Sequence, residues 1–504
     1  MSITGPGSIT AANILAVNNM NNQLNTLSEE LGSGQMAQTY SGLGSQAGLT
    51  LALNAQLSAI NGYSSTAATV GTTLSIAQSD LTALGSAGNS VEQSVSDQGA
   101  FALNSNGQTT TQQSAESQLD QILSLLNTQV GNNYIFSGSA VNQPSVASTN
   151  EILNGNGAQA GLTQVIAERA QADLGANGLG RLVIPPVSGS TVSIGEDVAG
   201  SPFGFKLAGV SSSLTGATVT GPSGSPASIS VDLGANPNDG DSIQFSLNLP
   251  DGTSQTITLQ ATTASPPGAN QFTIGANATA TATNLQAALT TAVGNLAQTA
   301  LPSASAVAAA NDFFGSNPPL RVGGSSPFYA ATQLVNGTAA NTVFWYTGES
   351  GSTPARQTAT AQVGPSMSIA YGMRANEQAI SSLVANVAVL AATTYSASNP
   401  NAQASYQALS QKVAGNLSTQ SGVQSISDIE ADLANAQTTV SDATNLNTQT
   451  TTTLSGMLQG IDGVNQDQIG EQILNLQNSL SASLSVTARL AQLSLVNYLA
   501  PSSG

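Results

Sequence analysis

Cysteine and histidine are both absent from the 504 residues of this chain. Their absence excludes disulfide scaffolds, metal sites built from thiolate or imidazole ligands, cysteine nucleophiles and every catalytic triad that uses an imidazole base. Charge is also scarce, because only 7% of the residues are Asp, Glu, Lys or Arg, against about 25% in an average protein. We therefore expect no enzyme and no catalytic residues, and no cofactor and no bound metal.

Basic residues are the rarest of the charged ones, with 8 Lys and Arg against 26 Asp and Glu and a net charge of −18. Contacts with nucleic acid or with an anionic membrane need clustered basic side chains, so neither partner is expected. No apolar run is long enough for a membrane-spanning helix, so no membrane insertion is expected. Residues 1–10 show neither a basic nor a continuous apolar stretch, which predicts no cleaved secretion signal.

The few basic residues are unevenly distributed along the chain. All eight lie at or beyond Arg169, so the first 168 residues carry nine carboxylates and no basic group. A surface of Asn, Gln, Ser, Thr and Ala can pack against copies of itself without burying unpaired charges, which is costly. This distribution indicates self-association, and simple compositional bias is the alternative.

Both ends of the chain show helical stripes of apolar residues. After the helix-breaking run 5–7, with Ser8 or Thr10 as the N-cap, apolar residues recur at steps of three and four until the Gly-Ser-Gly run 32–34. This spacing is that of a coiled-coil seam, and the last segment of the chain repeats it. The predicted self-assembly seam consists of Val17, Met20, Leu24, Leu27, Leu31, Ile469, Ile473, Leu476, Leu480, Leu484, Leu490, Leu493 and Val496. We expect the two stripes to bury each other or neighbouring subunits, and the alternative is two amphipathic helices on a globular body.

Further helical patterns lie inside these ends, at 48–100, 110–130, 376–395 and 401–460. Helices of 40–50 residues would be about 60–75 Å long. The predicted fold class is therefore a mainly α rod, a long antiparallel helical bundle and coiled coil formed by both chain ends.

The middle of the chain, from about 140 to 368, is rich in Gly, Pro, Ser and Thr and alternates between apolar and polar residues. Runs around 229–233 and 243–249 and the run 257–259, after a Pro-Asp-Gly turn, indicate strands and a hairpin. Residues 272–274 suggest a third strand, 285–296 an amphipathic helix, and 341–346 with 357–371 a later strand pair. We predict β-rich outer domains inserted into the helical rod.

Three features of the sequence suggest sites. The run 236–241 resembles a calcium loop, but it lacks the ligand spacing of an EF-hand and a turn is favoured. The aromatic run 344–346, with Phe328 and Tyr329, is typical of a sugar-stacking platform or of a small core, and the core is favoured. The carboxylate pairs Asp239/Asp241 and Asp428/Glu430 have no evident catalytic partner and are interpreted as surface acids.

Several segments resemble the bacterial flagellin family, which includes filament flagellins and hook–filament junction proteins. Residues 30–34 (Glu-Leu-Gly-Ser-Gly) resemble its Leu-Ser-Ser-Gly helix break, and 75–78 (Ser-Ile-Ala-Gln) match its Ser-Ile-Ala-Gln stretch. Residues 133–138 (Asn-Tyr-Ile-Phe-Ser-Gly) resemble its strand entry, and 476–483 and 493–499 its closing helix. The resemblance covers about 1–140 and 366–504.

This resemblance implies a structural subunit that is exported unfolded through the flagellar type III channel without a cleaved signal. Such a subunit is secreted and extracellular, and it polymerises through its terminal helices into the tubular filament used for motility. The implied partners are the protein itself, as a helical homopolymer, together with hook-associated or junction proteins, cap proteins and an export chaperone.

The predicted domains follow the same scheme. An inner core domain combines 1–47 with 461–504, a helical rod domain combines 48–140 with 369–460, and the exposed insert is 141–368. The runs 493–499 and 371–377 lean toward a junction protein, whereas the long insert leans toward a filament subunit. A secreted surface adhesin and a hydrolase hidden in the insert are the alternatives from other classes.

Overall fold

A computed structural model of the protein describes residues 6–37, 39–97, 101–418 and 421–498, without the side chains of 6–10, 490, 491 and 493–498. Within these ranges the chain combines long helices with several separate β-sheets. The α-helices are α1 (Pro6–Ser33), α2 (Ala47–Ser96), α3 (Thr110–Leu126), α4 (Thr149–Asn154), α5 (Leu162–Leu174), α6 (Ala278–Gln298), α7 (Ala300–Phe314), α8 (Gln378–Ala392), α9 (Ala402–Leu417), α10 (Ile426–Asp462) and α11 (Gln466–Tyr498). None of the described helices is long and apolar enough to cross a membrane.

The strands form two four-stranded sheets and three short two-stranded ones. The strands are β1 (Gln129–Val130), β2 (Asn133–Tyr134), β3 (Leu182–Val183), β4 (Thr191–Glu196), β5 (Lys206–Ser212), β6 (Ala217–Ser223), β7 (Ser228–Leu233), β8 (Ser242–Asn248), β9 (Ser254–Thr262), β10 (Gln271–Thr273), β11 (Leu320–Val322), β12 (Leu334–Asn336), β13 (Thr360–Gly364) and β14 (Met367–Ala370).

The chain divides into two compact units. The terminal unit comprises Met1–Thr69, Gln362–Ser368 and Thr439–Gly504, and the central unit comprises Val70–Ala361 and Ile369–Thr438. The division falls inside α2 and α10. The predicted boundaries at 47/48 and 460/461 instead fall near helix ends, where α2 begins and α10 finishes.

Local sequence explains where the first helix begins and ends. The helix α1 begins at Pro6 itself, not after the Gly-Pro-Gly run, because proline is favoured in the first turn, where its missing N–H costs nothing. Its last residue is Ser33, and Gly34 follows with φ +73°. Glycine is the residue that adopts this left-handed conformation without steric cost, so the predicted break at 32–34 is confirmed.

In the terminal unit, the first part of α2 packs on the last part of α10. Leu53, Ile60 and Leu454 are buried there, and the Thr50 hydroxyl donates a hydrogen bond to an Asp462 carboxylate oxygen at 3.2 Å. The Asn447 amide donates to the Val363 carbonyl oxygen at 2.9 Å, which fixes the short segment 362–368 against α10.

The two larger sheets of the central unit have the orders β10-β9-β8-β5 and β3-β4-β7-β6. Strands β8 and β9 pair antiparallel around the predicted Pro-Asp-Gly turn, with Phe245 opposite Ile257, and β10 adds in parallel to β9. The amphipathic helix α6 places Leu285, Leu289 and Val293 in the same buried core. The hairpin, the third strand and the helix are therefore confirmed.

The description of the insert as β-rich is incomplete, because 141–368 also contains the four helices α4, α5, α6 and α7. Helix α7 packs on α5, α8 and α9 and is buried on nearly every side. Its sequence is mostly Ala and Ser, whose small side chains allow close helix packing and give no clear amphipathic stripe. This composition is why periodicity alone did not predict it.

The predicted pairing of 341–346 with 357–371 is wrong. Residue Thr342 bridges to Ala160 and Tyr346 bridges to Val146, whereas β13 and β14 pair with each other across a Gly-Pro turn. Closing this short local hairpin costs less chain entropy than recruiting a distant strand.

Candidate self-assembly surface

The first and last helices pack against each other as an antiparallel pair within the terminal unit. At the mouth of this pair the Met36 N–H donates to the Asp462 carbonyl oxygen at 2.7 Å, and the Val464 N–H donates to that of Gly34 at 3.2 Å. Further along, α1 and α11 together line a groove that contains no charged side chain. The groove residues are Asn22, Gln23, Thr26, Leu27, Gln472, Asn475, Leu476 and Ser479. The two stripes of the sequence thus face each other within one chain.

This pairing covers the predicted seam only in part. Of the seam members whose side chains the structure describes, only Ile469 is buried, at 8% exposure, and Leu31 is 36% exposed. The other members that lie between α1 and α11 are half-buried, namely Val17, Met20, Leu24, Leu27, Ile473, Leu476 and Leu480. Two helices alone therefore leave much of the seam in contact with water.

The second half of the α11 stripe departs from the prediction. Leu484 is 51% exposed, and Ser483 and Thr487 are half-buried in its place, because they continue the steps of three and four from Leu480. The predicted step of four from Leu480 to Leu484 takes that leucine off the seam. The side chains of the remaining predicted members, Leu490, Leu493 and Val496, lie outside the described part of the structure.

Exposed large apolar side chains concentrate in the terminal unit. Of the 16 that stand out as exposed among the described residues, twelve belong to this unit. The twelve are Ile14, Leu15, Leu31, Met36, Tyr40, Leu49, Leu51, Leu446, Met457, Leu474, Leu484 and Val486. Monomeric proteins rarely expose large contiguous apolar patches, and such patches mark interaction sites.

These apolar residues are not confined to one side of the helix pair. At 100° per residue, Leu15 points away from the α1 seam, and Leu484 and Val486 lie on different flanks of α11. Ile14, Leu15 and Val486 are each more than half exposed. Apolar side chains are therefore available for contact on more than one side of this pair. Sequence inspection missed Ile14, Leu15, Leu474 and Val486 because they lie off the seam spacing.

Basic residues and ion pairs are also distributed unevenly between the two units. Within the ranges described, all seven basic residues of the central unit form ion pairs. The terminal unit contains six carboxylates and one basic residue, Arg489. Its surface therefore presents mostly amide, hydroxyl and apolar groups, which neighbouring copies can bury at little electrostatic cost.

The loop 236–241 is a structural turn. The Asp241 carboxylate accepts hydrogen bonds from the N–H groups of Thr215 and Asn238 at 2.8 and 2.9 Å, and these bonds lower the pKa of Asp241. Asp239 accepts from the Thr263 N–H at 2.8 Å. No group of three potential metal ligands occurs among the residues that the structure describes.

The second carboxylate pair caps and braces a helix. Ser425 and Asp428 form a reciprocal cap at the start of α10, and hydrogen bonds from Ser425 lower the pKa of Asp428. Glu430 accepts a hydrogen bond from the Thr82 hydroxyl at 3.0 Å. The structure thus gives both predicted carboxylate pairs a structural role.

The aromatic run belongs to a core. Trp345 and Tyr346 are 2% and 7% exposed, and the Trp345 indole donates to the Phe314 carbonyl oxygen at 3.1 Å. Phe328 packs in a separate cluster with Phe203, and Tyr329 is exposed. The predicted core interpretation is confirmed for Trp345, Tyr346 and Phe328 but not for the exposed Tyr329, and these aromatics do not form one cluster.

A buried ion-pair network in the central unit carries the largest carboxylate pKa shifts. Arg169 contacts Asp173 at 3.0 Å and Asp312 at 2.5 Å, and its guanidinium lies over the Phe203 ring. Burial raises the pKa of Asp173, and it raises the pKa of Asp312 to about 6 against the opposing effect of Arg169. Each charge has a partner, so this network fastens α5, α7 and the segment around Phe203 together.

Comparison with known protein-family models and with curated proteins finds no match for this chain. The functional argument therefore rests on the residues of the chain and on the surfaces that they form.

Proposed function

We propose that this protein is a structural subunit of the bacterial flagellum that polymerises through its terminal helices into the tubular filament used for motility. One observation carries the proposal: the unit in which the chain ends pair with each other exposes twelve of the sixteen large apolar side chains that stand out as exposed among the described residues. The flagellin-like segments 30–34 and 476–483 support the same conclusion, because they lie at the end of α1 and on α11.

Physical chemistry supports a polymer more than a dimer. The exposed apolar groups surround the α1–α11 pair, whereas a two-fold dimer buries one patch on each partner. In the proposed polymer the half-buried seam of α1 and α11 becomes fully buried, and the two helices wind as a coiled coil. The long helices α2 and α10 then form the antiparallel rod that transmits load along the filament.

Composition supports export as an unfolded chain. With no cysteine, the chain cannot form disulfides that would block passage through a narrow conduit. The proposed location is extracellular, on the flagellum, with junction and cap proteins at the ends of the polymer and an export chaperone in the cell.

A hook–filament junction subunit is the second candidate. The runs 493–499 (Leu-Ser-Leu-Val-Asn-Tyr-Leu) and 371–377 (Tyr-Gly-Met-Arg-Ala-Asn-Glu) resemble junction proteins more than filament flagellins. Such a subunit would expose the same apolar helices, but it would bury them in one short ring between other proteins.

Electron microscopy of the purified full chain, seeded with its own filament fragments or placed in precipitating salt, tests the proposal. Long regular tubes are expected for a filament subunit. Monomers that persist with protease-sensitive ends would favour the junction candidate. Monomers with protease-resistant ends would overturn both.

A further inference from the structure

One charged residue of the terminal unit stands apart from the pattern of the rest of the molecule. Arg489, in the last part of α11, is exposed, and it is the only basic residue in this unit. It is also the one basic residue of the chain without an ion pair among the described residues, since the other seven are all paired.

The helix pair offers Arg489 no carboxylate within reach. The acidic residues of α1 and α11 are Glu29, Glu30, Asp467 and Glu471. All four lie near the end of the helix pair at which the last turn of α1 meets the first turn of α11. Glu471 precedes Arg489 by 18 residues, so the two are about 27 Å apart along the helix. A partner for Arg489 must therefore come from outside the pair.

The same spacing suggests what that partner is. Eighteen residues are five turns of an α-helix, so Glu471 and Arg489 lie on the same face of α11, and both are exposed. One face of the helix thus carries a carboxylate and a guanidinium group that lie five turns apart. A second copy that is shifted by five turns along the helix and turned by half a turn about the helix direction, so that the same face points back at the first copy, places Glu471 of one chain opposite Arg489 of the other.

We propose that Arg489 forms an ion pair with Glu471 of a second copy of this chain and thereby fixes the stagger between neighbouring subunits. The inference rests on the proposed self-assembly and adds a specific contact to it. Assembly on this face of α11 would bury Arg489 next to the apolar Val486, which lies three residues earlier on the same side of the helix, and a buried charge without a partner is strongly unfavourable. The pair supplies that partner and selects one register among the many that a surface with few charges allows.

Charge exchange tests the contact directly. The full-length variants Arg489→Glu, Glu471→Arg and the double variant are each assembled at low salt from seeds of the same variant, and the critical concentration is measured by sedimentation. Each single variant is expected to raise the critical concentration at least ten-fold. The critical concentration of the double variant is expected to lie within three-fold of the wild-type value.

Asp467→Arg is the matched control, because it makes the same charge change on the same helix one turn earlier. Combined with Arg489→Glu, it should not restore assembly, and circular dichroism should show equal helix content in every monomer. If the wild type assembles but the Glu471–Arg489 exchange fails to restore assembly, the ion pair is wrong and the polymer proposal stands. If the wild type itself does not assemble under any seeding condition, the proposed function fails.

Discussion

The terminal and central units use the same amino acids in opposite ways. In the central unit, Leu285 and Phe245 are fully buried and every basic residue has an acidic partner. In the terminal unit, the seam between α1 and α11 is half-buried, and leucines such as Leu15 and Leu474 are each 63% exposed. The central unit completes its own core, whereas in the proposed polymer neighbouring copies complete part of the core of the terminal unit.

This difference explains the charge distribution that is visible in the sequence. The ion pairs of the central unit are mostly buried within that unit, where each basic group lies beside its own carboxylate. Charges on a surface that copies of the chain would bury in the proposed polymer are costly unless each finds a partner. The terminal unit accordingly has few charged residues. Its single basic residue, Arg489, is therefore the residue that points to a specific contact between copies.

The largest expected contrast comes from matched leucine truncations. Leu285→Ala in α6 removes a fully buried side chain and should lower the free energy of unfolding of the monomer by about 2–5 kcal/mol. Leu27→Ala in the half-buried seam should cost only about 1 kcal/mol, yet it should prevent seeded assembly. Denaturant unfolding and sedimentation check the two effects, and equal destabilisation of the monomer would show that the terminal core is already complete.

Replacing an arginine should also affect monomer stability very differently in the two units. Arg169→Met leaves Asp173 buried without its cation and should destabilise the monomer by about 3–5 kcal/mol. Arg489→Met, the matched change in the terminal unit, should alter monomer stability by less than about 0.5 kcal/mol. Thermal unfolding of both variants provides the measurement, and a large effect of Arg489→Met would reveal a partner within the chain.

A pH dependence should be specific to the central unit. The pKa of Asp312 is raised from 3.8 to about 6, so the folded state holds a proton that the unfolded state has lost between about pH 4 and pH 6. This contribution to stability is fully present below the unfolded pKa and is lost as the pH rises through the folded one. Asp312→Asn should therefore gain stability relative to the wild type from pH 4 to pH 7, by at most about 1.4 kcal/mol per pH unit. Parallel stability curves for the two proteins would contradict this assignment.

The smallest effect on the monomer is expected at exposed apolar positions. Leu484→Ser and Val183→Ser replace side chains that are 51% and 43% exposed, in the terminal and central units respectively. Each should change the free energy of unfolding by less than about 0.5 kcal/mol. Only Leu484→Ser should raise the critical concentration for assembly, which sedimentation measures; an equal rise for Val183→Ser would place the assembly surface on both units.

Periodicity predicted the elements whose burial is one-sided. Apolar residues recur at regular spacing in α1, α2, α6 and α11 and in the β8–β9 hairpin. The sequence alone was therefore sufficient to predict these elements. The helix α7 was missed because an Ala- and Ser-rich helix buried on nearly every side has no stripe. The partners of 341–346 were missed because single-residue bridges such as Thr342 to Ala160 depend on tertiary packing.

The candidate self-assembly surface was also predictable only where its residues follow a regular spacing. Spacing identified most of the seam, but it placed Leu484 on it, because leucine at that position looks more like a seam residue than Ser483 or Thr487. The exposed Ile14, Leu15 and Val486 could not be recognised from spacing, since exposure is a property of what remains uncovered. The isolation of Arg489 became visible only when the pairing of the other seven basic residues was known.

Hydrogen exchange of the full-length chain before and after seeded assembly tests the central claim most directly. We expect amides of α1 and α11 to exchange rapidly in the monomer and to become protected by at least a hundred-fold in the assembled state. The buried amides of β8, β9 and α7 should be protected equally in both states. Amides of α1 and α11 that are already as protected in the monomer as those of β8 would contradict the account, because the terminal unit would then have no core left for neighbours to complete.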